Sequence, residues 1–171
     1  MRHYPAMKNN LKYESYKAAN KLLNQARINN DLPMCIAAIT FCESIIADRL
    51  QSFLTYEAPA VFLKSGKERK FVSTVEMTKK CLKLFPGHQI ELKSKNVGKI
   101  KSGALFEDLK EWISHRNDIC HGFVKSKPGA PTKEINAFHK AAIEAAQEGY
   151  ELTKLVSKWH KQQLQKTYKK K

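Results

Sequence analysis

The sequence has no apolar run approaching the roughly 20 residues needed to cross a bilayer, because polar residues interrupt every such run within a few positions. A membrane-spanning helix is therefore not expected. Its opening segment, MRHYPAMKNNLKYESYK, lacks the apolar core of a signal peptide, so a cytoplasmic location is expected. No long Ser, Gly or Pro tract marks disorder, apart from a short Lys-rich end. The four cysteines, Cys35, Cys42, Cys81 and Cys120, are scattered without a CxxC pair. That argues for reduced thiols filling apolar space rather than a disulfide frame or a zinc knuckle. Cys120 adjoins His121, but without a second ligand pair the two make no zinc signature. Neither a metal nor a cofactor is expected. Strict apolar alternation, the mark of half-buried strands, is also nearly absent.

What is present is three- and four-residue apolar spacing sustained over long windows, which predicts an all-α protein of about five helices in an up-and-down bundle. With 171 residues and an apolar fraction of 42%, the chain suits one globular domain with a real core, spanning residues 1–171.

Acidic residues are scarce. Lys and Arg number 31 against 16 Asp and Glu, a net charge of +15. Residues 64–102 contribute +8 and residues 151–171 contribute +6, so two stretches hold fourteen of the fifteen charges. Such an excess favours a polyanionic partner, either nucleic acid or an anionic membrane surface, although charge runs are also common on merely solvated faces. The basic stretches are read as a Lys-rich loop over residues 86–103 and a Lys-rich C-terminal tail over residues 161–171.

A first helix is expected from about Tyr13 to Ile28, with Leu11, Ala18, Leu22 and Ala26 on one side. Asn29, Asn30 and Asp31 break it; Asp31 can cap the next helix, and Pro33 fits that helix's first turn. The second helix, about Leu32 to Tyr56, is apolar on two sides. Leu32, Cys35, Ile36, Ile39, Ile46, Leu50, Phe53 and Leu54 form one stripe, and Met34, Ala38, Phe41 and Ile45 form another. Such a helix is either central in a bundle or buried at a subunit interface. A third helix, about Arg69 to Phe85, stops at Pro86 and Gly87. A fourth begins near Ala104 and ends around Gly122, which suits a C-cap. After the turn KSKPGAPT, a fifth runs from about Lys133 to Gln165, its stripe of Ile135, Phe138, Ala142, Ala146, Gly149 and Val156 rich in small residues that allow close helix packing.

Two charges fall on apolar stripes. Arg116 interrupts the series Leu105, Leu109, Trp112, Ile119 and Cys120, and Glu43 lies between Ile39 and Ile46. A lone buried charge costs several kcal/mol, so opposite charges on apolar stripes should pair. The alternative is that both reach solvent from slightly bent helices. His121 lies five residues beyond Arg116, about 140° around an ideal helix, so the two converge only if the helix ends or bends there or the long Arg side chain reaches across. Asn117 and His121, four apart, share a face.

The stretch WISHRNDICHGF resembles the signature of HEPN domains: Arg, a polar residue, three variable residues and His, near the end of a helix. Arg116, Asn117 and His121 match it position by position. LFEDLKEWISH and the amphipathic CIAAITFCESIIADRLQSFL are also similar to the family, so the resemblance covers about residues 14–160. It implies metal-independent RNA cleavage by a homodimer whose two motifs face one cleft, with the role of a toxin or antiphage effector under the control of an antitoxin or another defence partner. One position departs from the family. Members silenced by adenylylation carry Tyr two residues after the His; Phe123 stands there in this chain, which excludes that control at that position.

The residue types suit this chemistry. Imidazole titrates near neutrality, so His121 can take the proton from a ribose 2′-OH or return one to a leaving group. Arg116 supplies a fixed charge and a fork of donors for the crowded phosphate. Asn117 would orient His121 or the phosphate, and Glu43 would hold Arg116. The basic segments would add sequence-blind, salt-sensitive affinity for the RNA backbone. Two other readings compete: a HEPN-like bundle that binds RNA or a protein without cutting, and an unrelated helical interaction module in which RNDICH is accidental. His115 is expected on the surface, His3, His88, His139 and His160 are assigned no chemistry, and Trp112 and Phe123 are expected in the core.

Overall fold

The computed structural model describes residues 8–56, 72–94, 98–125 and 132–168. Five helices and one small hairpin account for most of them: α1 (Lys8–Asn29), α2 (Leu32–Tyr56), α3 (Thr74–Leu84), β1 (Ile90–Ser94), β2 (Gly98–Ser102), α4 (Leu105–Lys125) and α5 (Thr132–Tyr168). The protein is an all-α helical bundle. The third helix, expected from about Arg69, begins at Thr74, because Val72 is not helical and Ser73 is its cap; most of the turn KSKPGAPT lies outside the described residues.

The helix boundaries follow local chemistry. Asn30 adopts φ 51°, the left-handed turn that closes α1, and the Asp31 amide donates back to the Ala26 carbonyl at 3.1 Å. Asp31 then caps α2, its carboxylate accepting from the Met34 amide at 3.0 Å. At α3 the Ser73 hydroxyl accepts from the Glu76 amide at 3.2 Å, the first half of a capping box. Pro86 stops the chain after α3, and Gly87 turns it at φ +62°.

The Lys-rich loop expected over residues 86–103 is instead largely an antiparallel hairpin, with Ile90 opposite Ser102 and Leu92 opposite Ile100. Ile90 and Ile100 are buried. Five-residue strands with one apolar position every second residue are too short for alternation to stand out among so many lysines. The expected basic tail is also partly helix, since α5 continues to Tyr168.

The chain divides into two compact units. One comprises residues 1–45 and 115–150, the other residues 46–114 and 151–171, so α2, α4 and α5 each contribute to both. The core of the first unit is built from Ala19, Leu23, Cys35, Ile39, Cys42, Ile119, Ala142 and Ala146. The core of the second centres on Trp159, whose ring lies 4.8 Å from Phe53, 5.0 Å from Phe106 and 5.5 Å from Phe85 between centroids. Two stripe positions depart from expectation. Phe41 and Ile135 are exposed, at 41% and 45%, so the second side of α2 and the start of α5 are only partly covered.

Candidate functional site

All four sequence candidates belong to the first unit. Arg116 projects from the apolar face of α4, where Trp112, Ile113 and Ile119 are buried. Its Nη2 donates to Oε1 of Glu43 on α2, with side-chain exposures of 17% and 25% for Arg116 and Glu43. The expected ion pair is thus present, and the alternative of two separately solvated charges is not. Arg116 Nε is buried without a hydrogen-bond partner among the described residues, which leaves one donor of the guanidinium uncommitted.

His121 is exposed, and Asn117, one turn before it, is half-buried. The helix neither ends nor breaks at His121. It continues to Lys125, so Gly122 is not the C-cap it was expected to be, and the separation of about 140° between Arg116 and His121 stands. Gly122 serves a different purpose. A Cβ there would lie 2.7 Å from Cε2 of Phe138, so the absence of a side chain lets the Phe138 ring of α5 close on α4. Phe123, expected in the core, is 38% exposed, although the continuing helix keeps it in line with the apolar stripe. Trp112 is buried as expected.

Cys120 lies one turn beyond Arg116 and within the field of both charges. Burial pushes its thiol up, Arg116 draws it down and Glu43 pushes it up. Its electrostatic ties to both partners place it beside the ion pair, a position that the spacing of Arg116 and Cys120 on one helix already implied. His115 Nδ1 is 3.9 Å from Glu148 Oε2 in a largely solvated contact, consistent with a surface role.

Arg49, which falls between the two α2 stripes and not within one as Glu43 does, was not among the sequence candidates. It is buried and reaches Asp48 and, through Nε at 3.4 Å, the Ser157 hydroxyl. It belongs to the second unit and holds α2 to α5 there. No group of three or more His, Cys, Asp or Glu placed to hold a metal ion occurs among the described residues, and no described helix is long and apolar enough to cross a membrane.

Comparison with family models, with curated proteins and with solved structures returns no match.

Proposed function

We propose that the chain is a metal-independent endoribonuclease of the HEPN type, with Arg116 and His121 as its catalytic residues and Asn117 and Glu43 as their positioning residues. The observation that carries this reading is the Glu43–Arg116 pair: an ion pair on otherwise apolar helix faces, on the same helix as an exposed imidazole. A guanidinium has five N–H donors, so one held by a carboxylate keeps others for a phosphate.

In the reaction, His121 takes the proton of the ribose 2′-OH as its oxygen bonds to the adjacent phosphorus. The bond from phosphorus to the 5′-oxygen breaks, and a second imidazole, in its protonated form, gives that oxygen its proton. Arg116 offsets the charge that builds on the non-bridging oxygens.

Because Arg116 and His121 of one chain diverge around α4, the full site is a composite of two copies, each completing the other's set. Ile28, Phe41, Phe123 and Ile135, all in the first unit, are large apolar side chains left exposed, and a second copy there would cover such positions. The role is that of a toxin or antiphage effector restrained by an antitoxin or another defence partner. The same divergence of Arg116 and His121 favours the second reading, a bundle of this type that binds RNA or a partner without cutting it.

The two readings separate on product chemistry. Incubation with RNA in excess EDTA should give fragments ending in 2′,3′-cyclic phosphate and beginning with 5′-OH. Fragments with 5′-phosphate, or a strict requirement for a divalent ion, would overturn the mechanism, and a monomer by sedimentation at micromolar concentration would remove the composite site.

A further inference from the structure

We infer that the hairpin and the lysine-bearing half of α5 form one surface that holds the phosphate backbone of nucleic acid, without reading its sequence, in the unit that does not carry the Arg116–His121 motif. The inference rests on the ribonuclease reading for the identity of RNA as the bound substrate, but not for the binding itself.

Charge is divided unequally between the two units. Residues 46–114 and 151–171 carry 20 Lys and Arg against nine Asp and Glu, a net of +11, which leaves +4 for the rest of the chain. Two segments meet there, 67 residues apart at the point of contact: the Lys158 ammonium of α5 donates to the main-chain carbonyl of Glu91 on β1. Lys154, Lys158 and Lys161 follow one another at four- and three-residue steps, so they lie along one side of α5, and the middle one is tied to the hairpin. Lys166, five residues beyond Lys161 and so about 140° around the helix from it, is close enough to lower the pKa of His88, just ahead of β1. Lys101 on β2 is exposed and stands opposite Glu91 in the ladder, with Lys93 opposite Lys99 two positions further on. Among the described residues, the hairpin and the second half of α5 thus meet at Lys158.

The chemistry of this surface suits nucleic acid better than a membrane. Adhesion of a helix or sheet face to lipid draws on exposed apolar or aromatic side chains entering the headgroup boundary as well as on charge. Here Ile90, Ile100, Leu155, Val156 and Trp159 of the same elements are buried, Leu92 and Leu164 are half-buried, and among the described residues of this unit only Leu84 is a large apolar side chain left exposed. A surface of lysines without exposed aromatics or base-reading amides neutralises phosphates and distinguishes little else.

The test uses the full chain with His121→Ala, so that bound RNA is not consumed, and measures anisotropy of one fluorescent single-stranded RNA and of the DNA of the same sequence across a salt series. Both should bind with affinities within a few-fold. Lys101→Glu, Lys161→Glu and Lys166→Glu together, all at exposed positions, should weaken binding at least tenfold and flatten the plot of log K against log salt by about 2, as expected for three lost phosphate contacts. Lys17→Glu, Lys21→Glu and Lys140→Glu together make the same charge change on the other unit and should have a far smaller effect. The inference is overturned if the two triple variants weaken binding equally, if the first has no effect, or if the protein binds phosphatidylserine vesicles but neither nucleic acid. Loss of cleavage chemistry with binding intact would instead overturn the ribonuclease reading and leave this one standing.

Discussion

Arg116 of α4 and Glu43 of α2, 73 residues apart in sequence, form an ion pair on helix faces whose other members are Trp112, Ile119, Ile39 and Ile46, all of them buried. Pairing is what makes either charge tolerable in that position, since each alone would lie against aliphatic and aromatic surface.

Removal of one partner should therefore cost more than removal of both. The pair is partly exposed, so Arg116→Ala is expected to cost about 1–3 kcal/mol, between the values for surface and fully buried pairs. Glu43→Gln combined with Arg116→Met should recover most of that, whereas exposed His121→Ala should stay within about 0.5 kcal/mol of wild type. Urea melts of the variants decide this, and an Arg116→Ala protein as stable as wild type contradicts it.

The contact of Gly122 with Phe138 predicts a change of sign. With the ring in place, Gly122→Ala drives a Cβ into it and should destabilise by about 1–2 kcal/mol. With Phe138→Ala already made, the same substitution should stabilise by up to about 1 kcal/mol, the ordinary helix preference for Ala over Gly. A double-mutant cycle of thermal melts without reversal would show that the close approach has no energetic consequence.

Much of this architecture was legible beforehand and some was not, for physical reasons. The helices of the bundle follow from spacing because each buries an apolar stripe, α2 on two sides, and the Glu43–Arg116 pair follows because a charge on such a stripe has few alternatives. The hairpin was hidden because Ile90 and Ile100 are diluted by lysines. The exposure of Phe123 was hidden because periodicity gives the side of a helix and not how far along it a neighbour reaches, and a glycine required for close packing is identical in sequence to one that caps a helix. The proximity of Lys158 to Glu91 depends on tertiary packing, which helical periodicity does not encode.

Thiol reactivity should report the same ion pair. Burial pushes Cys42 and Cys81 up to about 12, so alkylation of the folded protein should begin at half-buried Cys120 and reach those two only on unfolding. Glu43→Gln should speed labelling of Cys120 and Arg116→Met should slow it, since the carboxylate raises that thiol and the guanidinium lowers it. Mass spectrometry of timed quenches measures both rates, and opposite signs would remove Cys120 from the field of the pair.

His88 gives a pH dependence. Burial, and secondarily Lys166, hold its pKa below the ordinary 6.5, and its Nε2 is buried without a partner among the described residues. The folded protein thus binds this proton less readily than the unfolded chain. The associated stability is present above the unfolded value and is lost as pH falls from there through the lower folded pKa. His88→Phe should flatten the decline in melting temperature from about pH 7 to pH 5, where an imidazole of ordinary pKa titrates; an unchanged slope assigns that decline elsewhere.

The central claim is that Arg116 and His121 cut RNA without a metal. Its most direct measurement is the cleavage rate of one defined RNA in excess EDTA by wild type, His121→Ala and Glu43→Gln with Arg116→Met, each confirmed folded by its melt. Wild type should cut, and both variants should be slower by at least about 100-fold, the lower end of what a general acid–base group contributes. Cleavage by His121→Ala at the wild-type rate, or no cleavage by wild type in any divalent-free condition, would contradict the account.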